Sequence, residues 1–180
     1  MIQWSRQRAR EERVEDKVES RIANVLDLPF AEDRFDVVII ESVLAFVADK
    51  EQAIRECERV VKTGGYVGLN EAVWIQEAPP DMVAAACNLG TEIPSAETWR
   101  TLWDESALRN REVRIRQLDA RREMRSRLQW VGWRWLLRAW GRLIILYATD
   151  PAARQSIKQQ LNTPLEIFQY VGYGLFSGRK

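Results

Sequence analysis

Hydrophobic and polar positions follow two different periods in the first part of the chain. Residues 36–40 read Asp-Val-Val-Ile-Ile, a continuous β-branched run that is typical of a strand buried on both faces. Asp49 then precedes apolar residues at helical spacing, and Thr63-Gly64-Gly65 is expected to end that helix with a left-handed glycine. Residues 66–71 return to a strand pattern. This order predicts a right-handed βαβ unit within an α/β fold.

The pattern predicts further elements on both sides of this unit. Residues 3–12 suit a charged helix, and Val18–Val25 alternates as a short strand does. Ser95 precedes a helix whose expected buried residues are Trp99, Leu102, Trp103 and Ala107. The remaining predictions are a strand over 113–118, a helix over about 123–148, a helix started by Asp150-Pro151, a short helix ending near Tyr170 and a glycine-rich strand from 172 onward.

Charge is unevenly distributed, although the net charge is only +1. Residues 109–142 contain eleven arginines and three carboxylates, so their local charge is +8 and the rest of the chain carries −7. Such a division indicates one basic face on a protein of ordinary overall charge. Binding to nucleic acid is therefore not expected, because no aromatic and basic platform of an RNA-binding module accompanies these arginines.

The predicted helix over 123–148 combines four tryptophans with arginines at 134, 138 and 142. Three interpretations stay open. The helix can pack on the domain with its arginines in water, or it can cover an acceptor site with aromatic walls. It can also lie on a membrane surface, where tryptophan and arginine are both favourable. The arginines make a membrane-spanning segment improbable on energetic grounds.

The chain contains no histidine and only two cysteines, Cys57 and Cys87. A zinc site and a histidine-based catalytic triad are therefore not expected, and no metal is predicted. Cys57 lies on the apolar face of the predicted helix, so we expect a buried free thiol. No apolar leader segment follows Met1. A cytoplasmic location is the expectation.

Polar residues follow three predicted strands. They are Asn24-Val25, Glu41-Ser42 and Asn70-Glu71. In open α/β sheets, ligands bind outside the carboxyl ends of the strands, so these residues could line one crevice. The alternative is that the strand ends become polar simply because the chain leaves the core there.

A series of four motifs, spread over residues 23–65, gives the crevice a more specific interpretation. The segments are Ala-Asn-Val-Leu-Asp-Leu-Pro-Phe at 23–30, Phe-Asp-Val-Val at 35–38, Glu-Ser-Val-Leu at 41–44 and Arg-Val-Val-Lys-Thr-Gly-Gly at 59–65. In this order and spacing they resemble class I S-adenosylmethionine-dependent methyltransferases of the type 11, UbiE-like kind. Thr63 stands where the family has proline, and Asn24 stands where it has aspartate.

The resemblance implies S-adenosylmethionine as cofactor and a set of residues that contact it. By position, Asn24 would accept the adenine amino group, with Asp27 as an alternative acceptor, and the backbone of Val25 would meet the ring. Leu28 would lie beside the adenine, while Glu41 and Ser42 would lie near the methionine end. These implied cofactor contacts are Asn24, Val25, Leu28, Glu41 and Ser42.

The resemblance also implies a fold class, a partial Rossmann-like sheet with strands 3 to 7 present and strands 1 and 2 missing. The family order is 3-2-1-4-5-7-6, and a glycine-rich turn follows the first strand. Here the first glycine is Gly64, and residues 1–17 resemble the helix after the second strand. We therefore expect one domain over 1–180 that lacks its N-terminal βαβ unit, with a helical insertion over about 123–170.

The function implied is methyl transfer to a small, apolar acceptor, with the isolated chain inactive. Glu71, Trp133, Tyr147 and Tyr173 are the candidate acceptor-binding residues, and a general base, if one is needed, would be Glu41, Glu71, Tyr147 or Tyr173. A homo-oligomer or the missing N-terminal half would complete the sheet. The alternatives are a non-catalytic methyltransferase-like subunit and a protein that acts at a membrane surface through residues 128–147.

Overall fold

The computed structural model describes residues 2–88, 90–118, 125, 133–151, 153–155 and 167–180. Its helices are α1 (Ile2–Glu11), α2 (Lys50–Val60), α3 (Pro80–Asn88), α4 (Ala96–Asp104), α5 (Trp133–Thr149) and the short α6 (Ile167–Tyr170). Its strands are β1 (Phe35–Glu41), β2 (Val61–Trp74), β3 (Arg109–Gln117) and β4 (Val171–Arg179). A single 3₁₀ turn, Leu44–Phe46, follows β1 closely.

The four strands form one mixed sheet in the order β1-β2-β4-β3. β1 pairs with β2 in parallel, Glu41 opposite Asn70. β4 lies antiparallel between β2 and β3. The predicted βαβ unit, β1-α2-β2, is therefore confirmed, and the C-terminal strand is inserted beside it.

One face of the sheet carries the core, and α2 and α4 pack against it. Val67, Leu69, Glu71 and Val73 of β2 face this side and are buried, while Gly68, Asn70 and Ala72 between them are only half-buried. The buried cluster consists of Ile40, Leu44, Ala53, Ile54, Cys57, Val61, Val67, Leu69, Val73, Trp99, Trp103, Leu108 and Phe176. On the other face, Val37, Ile39, Tyr66 and Leu175 are exposed apolar side chains.

The glycines of β4 make room for the aromatic part of this core. Trp99 and Trp103 of α4 both contact Phe176, with ring centroids 5.4 and 5.9 Å apart. A Cβ atom at Gly174 would come within 2.5 Å of the Phe176 ring, and one at Gly178 within 2.8 Å of Leu108. Only glycine fits at these positions, which explains the glycine-rich sequence of the strand.

The helix starts predicted at Asp49 and Ser95 are confirmed. The Asp49 side chain accepts a hydrogen bond from the Gln52 amide at 2.8 Å, and Ser95 Oγ accepts one from the Thr98 amide at 3.0 Å. The predicted glycine C-cap of α2 is wrong, because α2 ends at Val60 and β2 begins at once. Gly64 adopts a φ of 83° inside β2 instead. Ala107 lies beyond α4 and is exposed, and Leu108 takes the buried position.

The predicted strand over Val18–Val25 is also wrong. Its residues form only an isolated bridge between Asn24 and Asp27, and Ile22 is 89% exposed. A strand needs a neighbour to satisfy its backbone N–H and C=O groups. Within the described residues β1 pairs on one side only, with β2, and residues 18–23 do not approach its other edge in a ladder. The partial α/β fold class is nevertheless confirmed by the other strands.

The C-terminal half agrees with the prediction where the structure describes it. α5 occupies the latter part of the predicted long helix, and residues 119–124 and 126–132 lie outside the described residues. Asp150 Oδ1 accepts a hydrogen bond from the Ala153 amide at 3.3 Å, as expected of an N-cap. Among the described residues, no helix is long and apolar enough to cross a bilayer.

Candidate functional site

The carboxyl end of β1 lies beside Asn70 of β2, and β2 continues to Trp74, past the strand end predicted at Glu71. Glu41 is paired with Asn70, and the Ser42 amide donates to the Asn70 carbonyl at 2.9 Å. Ser42 has a φ of 53°, the left-handed conformation that side chains other than glycine rarely adopt. This conformation costs about 1 kcal/mol or more, so other contacts must hold the turn.

Glu71 supplies those contacts. Its side chain is 1% exposed, and Oε1 accepts hydrogen bonds from the backbone amides of Val43 and Leu44, both at 2.9 Å. Glu71 Oε2 is buried and has no hydrogen-bond partner among the described residues. A carboxylate that accepts two amide hydrogens is a strong anchor. Glu71 therefore fixes the turn that follows β1.

A groove of about 400 Å³ runs along the free edge of β1. One wall is formed by Val25 and Leu28 of the preceding loop, and the other by the strand, with Glu41 at its carboxyl end. The lining is mostly apolar, and Phe30, Phe35 and Val43 contribute to it. Three of the five implied cofactor residues therefore meet at one groove. Asn24 and Ser42 adjoin it in the chain.

Asn24 lies in an exposed turn. Its Oδ1 accepts a hydrogen bond from the Leu26 amide at 3.1 Å, and the Asp27 amide donates to the Asn24 carbonyl. The side-chain oxygen keeps a second lone pair, so it can still accept another hydrogen bond. Asp27 is exposed beside it.

The loop that carries Leu28 is clamped to α2 by an ion pair. Arg59 donates to the Leu28 and Phe30 carbonyls at 2.9 and 2.8 Å and to Glu56 at 2.8 Å. Glu56 also accepts from the Leu28 amide at 2.7 Å. The hydrogen bonds from Arg59 are the largest cause that lowers the pKa of Glu56, and the Leu28 amide adds to it. Sequence reasoning missed this clamp, although its i, i+3 charge spacing was visible.

The clamp predicts a pH dependence of stability. The Glu56 pKa is lower in the folded chain than its ordinary value of 4.5. The ion pair between Glu56 and Arg59 therefore stabilises the fold fully above pH 4.5. This stabilisation is lost as the pH falls through the folded-state pKa of Glu56. We expect Glu56→Gln to narrow the difference between free energies of unfolding at pH 7 and pH 3, measured by urea denaturation. An unchanged difference would contradict the clamp.

Cys57 lies at the base of the groove. It is a free, buried thiol, as predicted. Burial raises the pKa of the Cys57 thiol to about 12, with Glu56 and Glu58 as further causes. At neutral pH the sulfur is therefore protonated, and it serves as an apolar wall rather than as a nucleophile.

The candidate acceptor residues do not form one cluster. Tyr173 is paired with Ala72, the neighbour of Glu71 in β2. Paired residues share a face and neighbouring residues of a strand alternate, so Tyr173 and Glu71 point to opposite faces of the sheet. Tyr147 is exposed on α5, with the Arg154 guanidinium 5.5 Å from its ring centroid. Trp133 begins α5, and its side chain is outside the described part of the structure.

The strand order and strand directions define a class of fold. β1 and β2 are parallel and joined by a helix, and β4 lies antiparallel between β2 and the edge strand β3. In this order, β1-β2-β4-β3 corresponds to strands 4-5-7-6 of a class I methyltransferase sheet. A ligand groove at the first of these strands agrees with the general position of ligands in open α/β sheets.

Comparisons of sequence with known proteins point to the same class. Residues 1–69 match the family described as "Methyltransferase domain". Methyltransferase GfsG of Streptomyces halstedii is 29% identical over 93 residues, which are 50% of this chain and 34% of that protein. The ubiquinone/menaquinone biosynthesis C-methyltransferase UbiE of Hahella chejuensis is 40% identical over 65 residues, 36% of this chain and 26% of that protein. The chain thus matches well under half the length of these relatives.

Solved structures extend the likeness over almost the whole chain. The [4+2]-cyclase SpnF superposes with a TM-score of 0.71 at 20% identity, covering 97% of this chain and 60% of that one. Geranyl diphosphate C-methyltransferase from Streptomyces coelicolor A3(2), solved with Mg²⁺, geranyl diphosphate and S-adenosyl-L-homocysteine, gives 0.65 at 19% identity, covering 98% and 59%. Sequence and fold together confirm the resemblance to a class I methyltransferase.

One departure from the family motif has a structural reason. Thr63 replaces the proline before Gly64-Gly65, and its amide donates a hydrogen bond to Asp33 Oδ1 at 3.1 Å. Proline has no N–H and could not make this bond. Gly65 is required nearby, because a Cβ atom there would lie 2.6 Å from the Asp36 carbonyl oxygen.

Proposed function

We propose that this chain forms part of a domain that transfers the methyl group of S-adenosylmethionine to a small-molecule acceptor. The observation that carries the proposal is the groove at the free edge of β1, where residues of the four matching motifs meet and Glu41 lies at the carboxyl end. The cofactor would bind at that end, and the part of the groove along β1 is left for the segment that would complete the sheet. Several of the similar solved structures contain S-adenosylmethionine or S-adenosyl-L-homocysteine. The fold alone does not decide the reaction, since SpnF is a cyclase.

The groove fits part of this cofactor. Its walls at Val25 and Leu28 are apolar, as an adenine ring requires, and Glu41 places one carboxylate at the carboxyl end of β1. What the described residues do not provide is a glycine-rich turn before β1, since the first glycine of the sequence is Gly64. Such a turn lets backbone amides approach a ligand closely. The residues present would therefore suit the adenine ring and one polar contact near the methionine end.

Each residue has a proposed part in holding the cofactor. Val25 and Leu28 would enclose the adenine, and Asn24 would accept its amino group through the free lone pair of Oδ1. Glu41 and Ser42 would lie near the methionine end, with the turn held by Glu71. When bound, S-adenosylmethionine supplies an electrophilic methyl group on a sulfonium sulfur. The residues of the chain would hold the acceptor atom in line with the methyl group and the sulfonium sulfur.

The acceptor is proposed to be small and at least partly apolar. The methyltransferase from Streptomyces coelicolor binds geranyl diphosphate, which has an apolar chain. In this chain Glu71, Trp133, Tyr147 and Tyr173 remain the proposed acceptor contacts. Glu71 and Tyr173 face opposite sides of the sheet, and Glu71 is buried and bonded to the turn after β1, so Glu71 is the proposed contact that this structure holds away from an acceptor. A general base would be Glu41, Glu71, Tyr147 or Tyr173.

We further propose that the 180 residues alone are inactive and need an additional segment or a second copy to complete the sheet at β1. The apolar residues Val37 and Ile39, 53% and 73% exposed, lie at this free edge and favour a partner there. A non-catalytic, methyltransferase-like subunit is the second candidate function, and the same exposed edge favours it. A cytoplasmic location is part of both proposals.

Glu41→Ala is the variant that tests the site. In a chain able to bind S-adenosyl-L-homocysteine, the loss of this carboxylate should weaken binding about tenfold or more, since a hydrogen bond to a charged group contributes about 1.5–3 kcal/mol. Glu77→Ala, a change at another acidic residue outside the groove, is the control. Equal affinity of Glu41→Ala and the unmodified chain would place the cofactor elsewhere. A non-catalytic subunit would show no methyl transfer to any acceptor even when complete.

A further inference from the structure

Helix α5 presents its apolar stripe to solvent. Leu137, Trp140, Ile144 and Tyr147 recur at intervals of three and four residues, so they lie on one side of the helix. They are 63%, 59%, 64% and 40% exposed, and Leu143 beside them is 40% exposed. A stripe of this kind normally faces a core. In the described part of the chain it faces none.

The charged residues in the sequence of α5 are all arginines. Arg134, Arg138 and Arg142 follow one another at intervals of four, and Arg142 is exposed. The neighbouring sequence adds to the positive charge. Residues 124–149 together contain five arginines and no lysine, aspartate or glutamate. The helix thus combines an exposed aromatic and aliphatic stripe with charged residues that are all cationic.

This combination selects among the surfaces that could cover the stripe. A second copy of α5 would bring two cationic segments together, which like-charge repulsion opposes. A small apolar acceptor would bury the stripe but leave the arginines without a function. An anionic phospholipid surface would bind both the apolar stripe and the arginines. The apolar side chains would lie at the boundary between the lipid chains and the headgroups, and the negative charge of the headgroups would attract the arginines. Tryptophan is favourable at this depth.

We propose that α5 docks the chain on anionic phospholipid membranes, lying in the plane of the interface. The helix has 17 residues, and no helix of the described structure could cross a bilayer, so the contact is peripheral. The proposal does not rest on the cofactor groove, and Tyr147 is the one residue of the stripe that is also a proposed acceptor contact. It concerns the membrane to which the protein would bind, whatever reaction the protein performs there.

Two neighbouring isoleucines provide a matched test. Ile144 and Ile145 are 64% and 62% exposed, but they point about 100° apart, Ile144 into the stripe and Ile145 toward Arg142. Ile144→Glu and Ile145→Glu change the net charge equally. The full chain and both variants would be sedimented with sucrose-loaded vesicles of phosphatidylglycerol and phosphatidylcholine, with vesicles of phosphatidylcholine alone and without lipid.

We expect the unmodified chain to bind the anionic vesicles at least tenfold more tightly than the neutral ones. Ile144→Glu should weaken that binding at least tenfold, and Ile145→Glu less than threefold. Absence of binding to anionic vesicles, or equal losses in the two variants, would overturn the proposal. So would a dimer in sedimentation velocity that Ile144→Glu dissociates, since a second copy would then cover the stripe. Circular dichroism would verify that both variants are folded.

Discussion

Replacing Trp99 with alanine is expected to remove about 3–5 kcal/mol from the free energy of unfolding. The Trp99 side chain is fully buried, contacts the Phe176 ring and donates from Nε1 to the Ala72 carbonyl at 3.0 Å. Alanine would leave a cavity between α4 and the sheet together with an unpaired carbonyl. Because small domains are stable by only about 5–15 kcal/mol, this loss approaches the whole stability of the chain.

Urea denaturation followed by circular dichroism would measure the loss, and Trp4→Ala is the control. Trp4 is 77% exposed on α1, so its replacement should change the free energy of unfolding by less than about 0.5 kcal/mol. Similar losses for the two tryptophans would contradict the packing of α4 on β2 and β4.

The second large effect is expected at Glu71. Glu71→Ala should destabilise the fold by about 2–4 kcal/mol, because the amides of Val43 and Leu44 lose their acceptor at a buried position. The left-handed Ser42 would lose its support at the same time. Hydrogen exchange followed by NMR should show faster exchange at the Val43 and Leu44 amides than in the unmodified chain.

Two variants give this prediction its controls. Glu71→Gln keeps one oxygen that can accept both amide hydrogens, so it should lose only about 1 kcal/mol. Glu41→Ala removes an exposed carboxylate from the neighbouring strand end and should leave both stability and amide exchange almost unchanged. If Glu71→Ala left the two amides protected, the turn would be held by something other than Glu71.

The part of the fold that sequence predicts best is the part held by local contacts. The Asp49 and Ser95 caps and the β1-α2-β2 unit depend on residues within a few positions, or on the burial that their period shows. The segment Val18–Val25 has an equally clear alternation, but its pairing would have to come from a distant strand. Periodicity in one segment carries no information about whether that neighbour is present.

In the candidate site, too, some features could be predicted from the sequence and others depend on distant parts of the chain. The position of Glu41 and Ser42 beside Asn70 could be predicted from the parallel pairing of two strands joined by a helix, whereas their part in a site stays a prediction. Glu71 was expected to face an acceptor, yet it lies on the core side of β2, bonded to the turn after β1. Which side of a strand is covered depends on helices from elsewhere in the chain, here α2 and α4. α3, rich in alanine, had too weak a pattern to be predicted.

The measurement that tests the central proposal most directly is calorimetric titration of S-adenosyl-L-homocysteine. It would be performed on the 180-residue chain and on a chain extended through the in-frame codons that precede Met1. We predict saturable binding by the extended chain, weakened by Glu41→Ala, and no measurable binding by the 180 residues alone. Equal binding by the shorter chain as a monomer, or absence of binding by the longer one, would contradict the proposal that these residues are part of a methyltransferase completed at β1.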